Sequence, residues 1–191
     1  NYIYLLRIKT KKIKINKKII TIGASTSRKS INKILAEYSG DLLKNVELKK
    51  VDLNDYEMPL FSVDIEVENG YSRATTDLNE LFNKADGFII SLAEHNGTYS
   101  VAFKNVFDWL SRVEGMVWRD KPMLLLATSP GDRGGQSVLE IASQRFPYMG
   151  GNIIGKMAFP SFFENFKDGD IVNKELKLKL LKLVQEFQKT I

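Results

Sequence analysis

Short apolar runs alternate with amphipathic segments along most of this 191-residue chain, and this alternation constrains its fold more than any other feature. Five runs have the character of β-strands: residues 19–23, 46–53, 87–91, 122–128 and 153–158. After each run, apolar residues recur at helical spacing, in segments that begin near residues 27–29, 75, 101, 138 and 176. Strands that alternate with helices favour a parallel sheet with helices on both faces.

The connections predict the order of the strands. Five strands with one long connection, residues 54–71 after the second strand, suit the order 2-1-3-4-5. We therefore expect an α/β protein, a flavodoxin-like three-layer sandwich with a five-stranded parallel sheet of that order. The first, third and fourth strands are then neighbours, so the loops after Gly23, Ser91 and Thr128 meet at one edge, where such sheets bind ligands.

Positive charge is concentrated at the start of the chain. Residues 1–18 contain seven basic and no acidic residues, and without those seven, 21 of the 28 basic residues remain against 23 acidic ones. We therefore divide the chain into a basic N-terminal extension, residues 1–17, and one domain, residues 18–191. A basic tail can bind nucleic acid or a membrane. The domain has no aromatic platform or basic helix that would support nucleic-acid binding. We therefore expect neither nucleic acid nor a membrane as a partner.

The composition excludes several chemistries. There is no cysteine and one histidine, His95, so the chain lacks a thiol nucleophile and a disulfide framework. A single histidine makes neither a convincing metal site nor a catalytic triad. No apolar run approaches the ~20 residues that cross a bilayer. These features lead us to expect a cytoplasmic protein.

The loop after the first strand is rich in hydroxyl groups and opens a helix. Four hydroxyl residues lie between positions 25 and 30, and Arg28 and Lys29 add positive charge. Unpaired backbone N–H groups and the helix dipole stabilise a phosphate at a helix start. An ordinary N-cap needs only one hydroxyl. The loop therefore predicts a phosphate site that uses Ser25, Ser27 and Ser30.

Two further loops follow the third and fourth strands. Residues 94–99 offer backbone donors and acceptors to a planar heterocycle such as a flavin ring. In this loop we interpret Glu94 as an acceptor of backbone N–H groups and His95 as a solvated or stacking residue. Residues 128–136 contain three glycines and one proline, so their backbone can approach a ligand closely.

With these loops in place, the chain resembles the NADPH-dependent FMN reductase family, which includes bacterial quinone, azo-dye and chromate reductases. The resemblance runs from about Lys18 to the last helix. The family's P-E-Y-N-G-S-Y-S loop and K-N-x-x-D-W-x-S-R helix are matched by residues 94–100 and 104–112. Ala93 and His95 replace the family's proline and tyrosine.

The first loop also departs from the family pattern. The family has G-S-x-R-x-x-S-x-N, whereas residues 23–32 are one residue longer. Counting back from Ser30 and Asn32 places Ser27 at the position of the family's arginine. On the helix after the second loop, we expect Asp108, Trp109 and Arg112 to serve packing and an inter-subunit ion pair rather than catalysis.

The resemblance implies a site for FMN, with NADPH or NADH as co-substrate and a small-molecule electron acceptor. It implies a homodimer or homotetramer. No catalytic acid, base or metal is expected, because the cofactor carries the chemistry. The cofactor-binding residues that it implies are Ser25, Ser27, Arg28, Ser30, Asn32, Leu92, Ala93, Glu94, His95, Asn96, Gly97, Ser129, Pro130 and Gly131.

Two alternatives remain open at this point. A flavodoxin-like electron carrier would have the same fold without intrinsic NAD(P)H reductase activity. Flavodoxins typically have a T-x-T-G-x-T loop and a strongly acidic surface, and neither is seen here. A flavin-free interaction domain is the other alternative, since one fold supports many functions.

Overall fold

The computed structural model describes residues 17–191, which form one α/β domain. Its strands are β1 (Lys17–Ala24), β2 (Val46–Val51), β3 (Gly87–His95), β4 (Thr98–Tyr99), β5 (Lys121–Thr128), β6 (Gly151–Phe159), β7 (Phe166–Lys167) and β8 (Asp170–Ile171). Its helices are α1 (Ile31–Asp41), α2 (Val63–Asn69), α3 (Arg73–Asn83), α4 (Val101–Val113), α5 (Gln136–Arg145), α6 (Phe162–Asn165) and α7 (Lys174–Thr190). Short 3₁₀ turns follow β2 and α5.

The main sheet has the order β2-β1-β3-β5-β6, and all of these strands are parallel. The predicted order is confirmed, because β5 and β6 are the fourth and fifth strands of the prediction. Gly23 pairs with Ser91, and Ala93 pairs with Thr128. The carboxyl ends of β1, β3 and β5 therefore lie at one edge of the sheet.

Both faces of the sheet are covered by helices. Helices α3, α4 and α5 bury an aromatic cluster on one face, in which the rings of Trp118 and Phe146 lie 4.7 Å apart. Helices α1 and α7 cover the other face, where Leu35 and Phe187 are fully buried. Burial on both faces explains the near-continuous apolar character of the central strands.

Several element boundaries differ from the prediction. Strand β3 continues past Ser91 to His95, because Asn96 and Gly97 adopt positive φ values of 50° and 80° and close a two-residue hairpin to β4. The predicted loop 94–99 is therefore mostly a hairpin. The long connection contains α2, a helix of seven residues in which Val63, Ile65 and Val67 alternate with acidic residues at a period of two rather than the helical period.

The basic extension, residues 1–17, lies outside the described residues except for Lys17. Lys17 pairs with Val46 at the start of the sheet. Within residues 17–191, we find no helix whose length and apolarity would let it cross a bilayer.

Gly23 permits a close approach between the end of β1 and helix α1. A Cβ atom at this position would lie 2.3 Å from the backbone Cα of Lys33. Backbone cannot move aside as a flexible side chain does, so no residue with a side chain fits here. The approach brings the start of α1 directly over the sheet.

We expect Gly23→Ala to lower the free energy of unfolding by about 3 kcal/mol, because the new methyl group must displace helix α1. Urea denaturation monitored by circular dichroism measures this loss. Gly115→Ala is the matched control, since a Cβ there meets nothing within 4 Å. Equal effects of the two substitutions would show that the contact with Lys33 does not require glycine.

Candidate functional site

The three predicted loops surround a cleft of about 240 Å³ at the carboxyl edge of the sheet. Nine of the predicted site residues border it: Ser25, Ser27, Ser30, Asn32, Ala93, Glu94, His95, Ser129 and Pro130. Its lining also includes Lys29, Ile31, Thr128 and Phe163. The sheet order and register bring these loops together, although they are far apart in the sequence.

The other five predicted site residues do not line the cleft. Arg28 is exposed outside it, and the Leu92 side chain is fully buried in the core beneath it. Asn96 and Gly97 form the β3–β4 turn. Gly131 lies in the third loop, where its carbonyl accepts from the Ser161 N–H at 2.9 Å.

The side chain of Asn32 joins helix α1, to which it belongs, to strands β3 and β5 beneath the cleft. Its Oδ1 accepts from the Ser91 hydroxyl at 2.7 Å and from the Thr128 N–H at 3.0 Å. Its Nδ2 donates to the Thr128 carbonyl at 3.0 Å. Asn32 is only 3% exposed, so these bonds form away from water. Asn32 thus holds the start of α1 on the ends of β3 and β5.

The first loop has its own internal hydrogen bonds. Ser30 is the N-cap of α1, and its Oγ accepts from the Lys33 N–H at 3.2 Å. The Ser27 N–H donates to Ser25 Oγ at 3.1 Å. Within residues 17–191, five N–H groups of the loop and the first helical turn donate to no protein acceptor: those of Thr26, Arg28, Lys29, Ile31 and Asn32. Three of these residues, Lys29, Ile31 and Asn32, line the cleft, so their N–H groups are the ones placed to bind an anion there.

An ion pair flanks the start of α1. Lys33 donates to the carboxylate of Asp52, which follows β2. This hydrogen bond lowers the pKa of the Asp52 carboxyl and raises the pKa of the Lys33 ammonium. The positive charge of Lys33 is thus balanced within the protein.

The second loop places Glu94 against the start of α5. Its Oε2 accepts from the Val138 N–H at 3.0 Å. The N-cap residue of α5 is Gly135, which has no side chain to fill this role. The interpretation of Glu94 as an acceptor of backbone N–H groups is therefore confirmed.

The remaining residues of the hairpin point in different directions. His95 is exposed at the end of β3 and borders the cleft. The ring of Tyr99 is buried against Phe103 and Phe146. Burial raises the pKa of Tyr99 to about 12, so its hydroxyl stays neutral at physiological pH.

The third loop holds a short helix at the edge of the cleft. The Ser129 carbonyl accepts from the Phe162 N–H at 3.1 Å, which fixes α6 to the loop. Helix α6 carries Phe163, whose side chain is 63% exposed and lines the cleft. Sequence reasoning missed Phe163, because a helix of four residues has no periodicity to read.

Helix α4 fixes the long connection after β2. Asn105 accepts from the Phe61 N–H at 2.8 Å, and Trp109 Nε1 donates to the Pro59 carbonyl at 2.7 Å. Arg112 donates from Nε to both carboxylate oxygens of Glu66, at 3.1 and 2.9 Å. The expectation of packing is confirmed for Trp109. Arg112 pairs with Glu66 within the chain, and the expected inter-subunit ion pair stays a prediction.

Fold and site together define an α/β protein with a cleft at the switch point between β1 and β3. A sequence model of NADPH-dependent FMN reductase matches residues 17–164. The chain belongs to the NADPH-dependent FMN reductase family.

Curated relatives are similar over part of their length. A quinone reductase of Escherichia coli K12 is 28% identical over 121 residues, which are 61% of this chain and 62% of the relative. An NADPH:quinone oxidoreductase of Arabidopsis thaliana is 27% identical, covering 63% of this chain and 62% of the relative. An NAD(P)H-dependent FMN reductase of Schizosaccharomyces pombe is 29% identical, covering 65% and 63%. The matched region thus spans less than two thirds of these relatives.

Solved structures share the fold over nearly the whole chain. FerB from Paracoccus denitrificans, a flavoenzyme NAD(P)H:(acceptor) oxidoreductase, superposes with a TM-score of 0.73 at 20% identity and covers 91% of this chain and 96% of its own. An FMN-dependent NADH-azoreductase from Bacillus anthracis, solved in complex with FMN, has a TM-score of 0.54 at 16% identity, covering 91% and 98%. These similarities establish the flavodoxin-like fold.

We expect Asn32→Ala to reduce the free energy of unfolding by about 4 kcal/mol, because it leaves the Ser91 hydroxyl and both backbone groups of Thr128 buried without partners. Chemical denaturation measures the loss. Asn152→Ala removes the same atoms from an exposed position on β6 and serves as the control. A loss no greater than that of the control would mean that Asn32 does not hold the three elements together.

Proposed function

We propose that this protein is an FMN-dependent oxidoreductase that takes electrons from NADPH or NADH and passes them to a small-molecule acceptor. Quinones, azo compounds, metal ions and free flavin are the acceptor classes that we consider. The observation that carries the proposal is the meeting of three loops around one cleft, where N–H groups of the first loop have no protein acceptor within residues 17–191.

The first loop suits the phosphate of FMN. A phosphate needs several donors at once. Of the five residues whose N–H groups have no protein acceptor within residues 17–191, Lys29, Ile31 and Asn32 line the cleft. The hydroxyls of Ser25, Ser27 and Ser30 border the same space. The positive end of the α1 dipole adds a favourable field. The donor set thus fits the chemistry of a phosphate monoester.

The second and third loops suit the ring of FMN. Ala93 has a small side chain, so a flat ligand can approach the backbone of residues 93–95. Ser129 and Pro130 border the same cleft. Leu92 lies under the cleft and supports it from the core. Of the predicted contacts, we propose that residues 93–95 and 129–130 lie nearest the ring.

The protein's own role is to position the reactants. When bound, FMN supplies the redox chemistry by exchanging a hydride with NAD(P)H and electrons with the acceptor. Glu94 is held by the start of α5, and His95 is exposed, so neither is placed as a buried general acid or base. Proximity and orientation in the cleft are then the contribution of the chain.

The family membership and the names of the relatives support this proposal. The relatives include quinone reductases and an NAD(P)H-dependent FMN reductase, and the FMN-bound neighbour is an NADH-azoreductase. We also propose a homodimer or homotetramer. The exposed apolar side chains of Leu60 and Val101 support a contact between copies, since they line one groove of about 310 Å³.

We expect FMN-loaded protein to lose its flavin absorbance within about a second when it is mixed anaerobically with excess NADPH or NADH. Stopped-flow spectroscopy with each nicotinamide gives the rate and the preference between the two. Subsequent addition of a quinone restores the absorbance if the quinone is an acceptor. A protein that binds FMN but is bleached only with the help of a partner reductase is an electron carrier and contradicts the proposal.

We expect Ser27→Asp combined with Ser30→Asp to weaken FMN binding by roughly a hundredfold or more, because two carboxylates would face the phosphate. Titration by quenching of flavin fluorescence measures the dissociation constant. The paired Asn variant at both positions has nearly the same shape without the charge. Both Asp and Asn are good N-caps, so α1 keeps its start in either protein. Unchanged affinity in the Asp variant would rule out a phosphate at this loop.

A further inference from the structure

We infer that Lys29, and not the adjacent Arg28, supplies the side-chain charge that holds the FMN phosphate. The inference rests on the proposed FMN site and identifies the charged residue within it. This chain has Ser27 at the position that corresponds to the family's arginine, and two basic residues follow it directly. Arg28 and Lys29 are the two cations available within the loop.

The turn of the first loop separates these two side chains. The Ser30 N–H donates to the Ser27 carbonyl at 3.0 Å and closes a turn with Arg28 and Lys29 at its centre. Adjacent residues of a turn present their side chains in different directions. Lys29 lines the cleft with Ser25, Ser27 and Ser30, whereas Arg28 does not. The geometry therefore favours the lysine.

The charge of Lys29 is also available for a ligand. Within the part of the chain that the structure describes, Lys29 has no carboxylate within ion-pair distance. The next lysine along, Lys33, is paired with Asp52. Glu94, the carboxylate that borders the cleft, accepts from the Val138 N–H instead. Lys29 thus leaves an uncompensated positive charge beside the loop's donors.

A buried hydroxyl that lines the same cleft as Lys29 independently indicates an acceptor there. Ser25 is only 7% exposed, and its Oγ accepts from the Ser27 N–H. Its own hydroxyl hydrogen donates to no group within residues 17–191. A buried hydroxyl normally uses its donor, so a ligand oxygen at the cleft would complete its bonding. A phosphate bound in this cleft would accept from the Ser25 hydroxyl and pair with the Lys29 ammonium.

The test compares Lys29→Gln with Arg28→Gln, because each removes one positive charge from an adjacent, exposed position. The ligands are FMN and riboflavin, which has the same ring and ribityl chain without the phosphate. Dissociation constants come from quenching of flavin fluorescence in protein stripped of flavin. We expect Lys29→Gln to weaken FMN binding about tenfold and to leave riboflavin binding unchanged, since one charge-assisted contact is lost.

The matched variants separate the possible outcomes. Arg28→Gln should change FMN affinity less than about twofold, and Lys29→Arg should retain most of it, because the charge is kept. A larger loss of FMN affinity in Arg28→Gln than in Lys29→Gln overturns the inference. An equal loss for FMN and riboflavin in Lys29→Gln also overturns it, since the effect would not involve the phosphate. If wild-type protein binds neither flavin, the proposed function fails as well.

Discussion

The hydrogen bonds of Asn32 are the interaction on which the candidate site depends. A parallel sheet ends in carbonyl and N–H groups that its ladder no longer satisfies, and here one amide pairs with Thr128 while it also binds Ser91. Because the amide belongs to the first turn of α1, the same bonds place the helix start above β3 and β5. The cleft forms where that helix start meets the ends of the strands.

The base of the site is fixed by close packing and hydrogen bonds, whereas N–H groups at its edge have no protein acceptor within residues 17–191. Gly23 removes the side chain that would push α1 away, and Glu94 neutralises the start of α5 from the neighbouring strand. Above this base, the first loop keeps several N–H groups without protein acceptors within residues 17–191. Such donors add nothing to folding when they face water, and they become favourable when a ligand accepts from them. The arrangement favours binding over stability at this edge.

The strand order and the convergence of the loops were predictable because they depend on patterns that the sequence displays. Alternating strands and helices permit few topologies, and the long connection after β2 selects one of them. The hairpin at Asn96-Gly97 was also visible as a turn signal, yet the polar residues around it favoured a loop. Helix α6 and Phe163 were not predictable from the sequence, because a helix of four residues shows no periodicity. Hydrogen bonds to the third loop hold it in place.

The amino-acid sequence by itself determined the fold class, the order of the strands and the three loops that meet at the sheet edge. It did so because periodicity and loop chemistry are local properties. Only the tertiary structure decided which side chains enter the cleft. Arg28 and Lys29 are neighbours with the same charge, but Lys29 lines the cleft and Arg28 does not. Likewise, only the tertiary structure shows that Arg112 of α4 binds Glu66 of α2, because the two residues are 46 positions apart in the sequence.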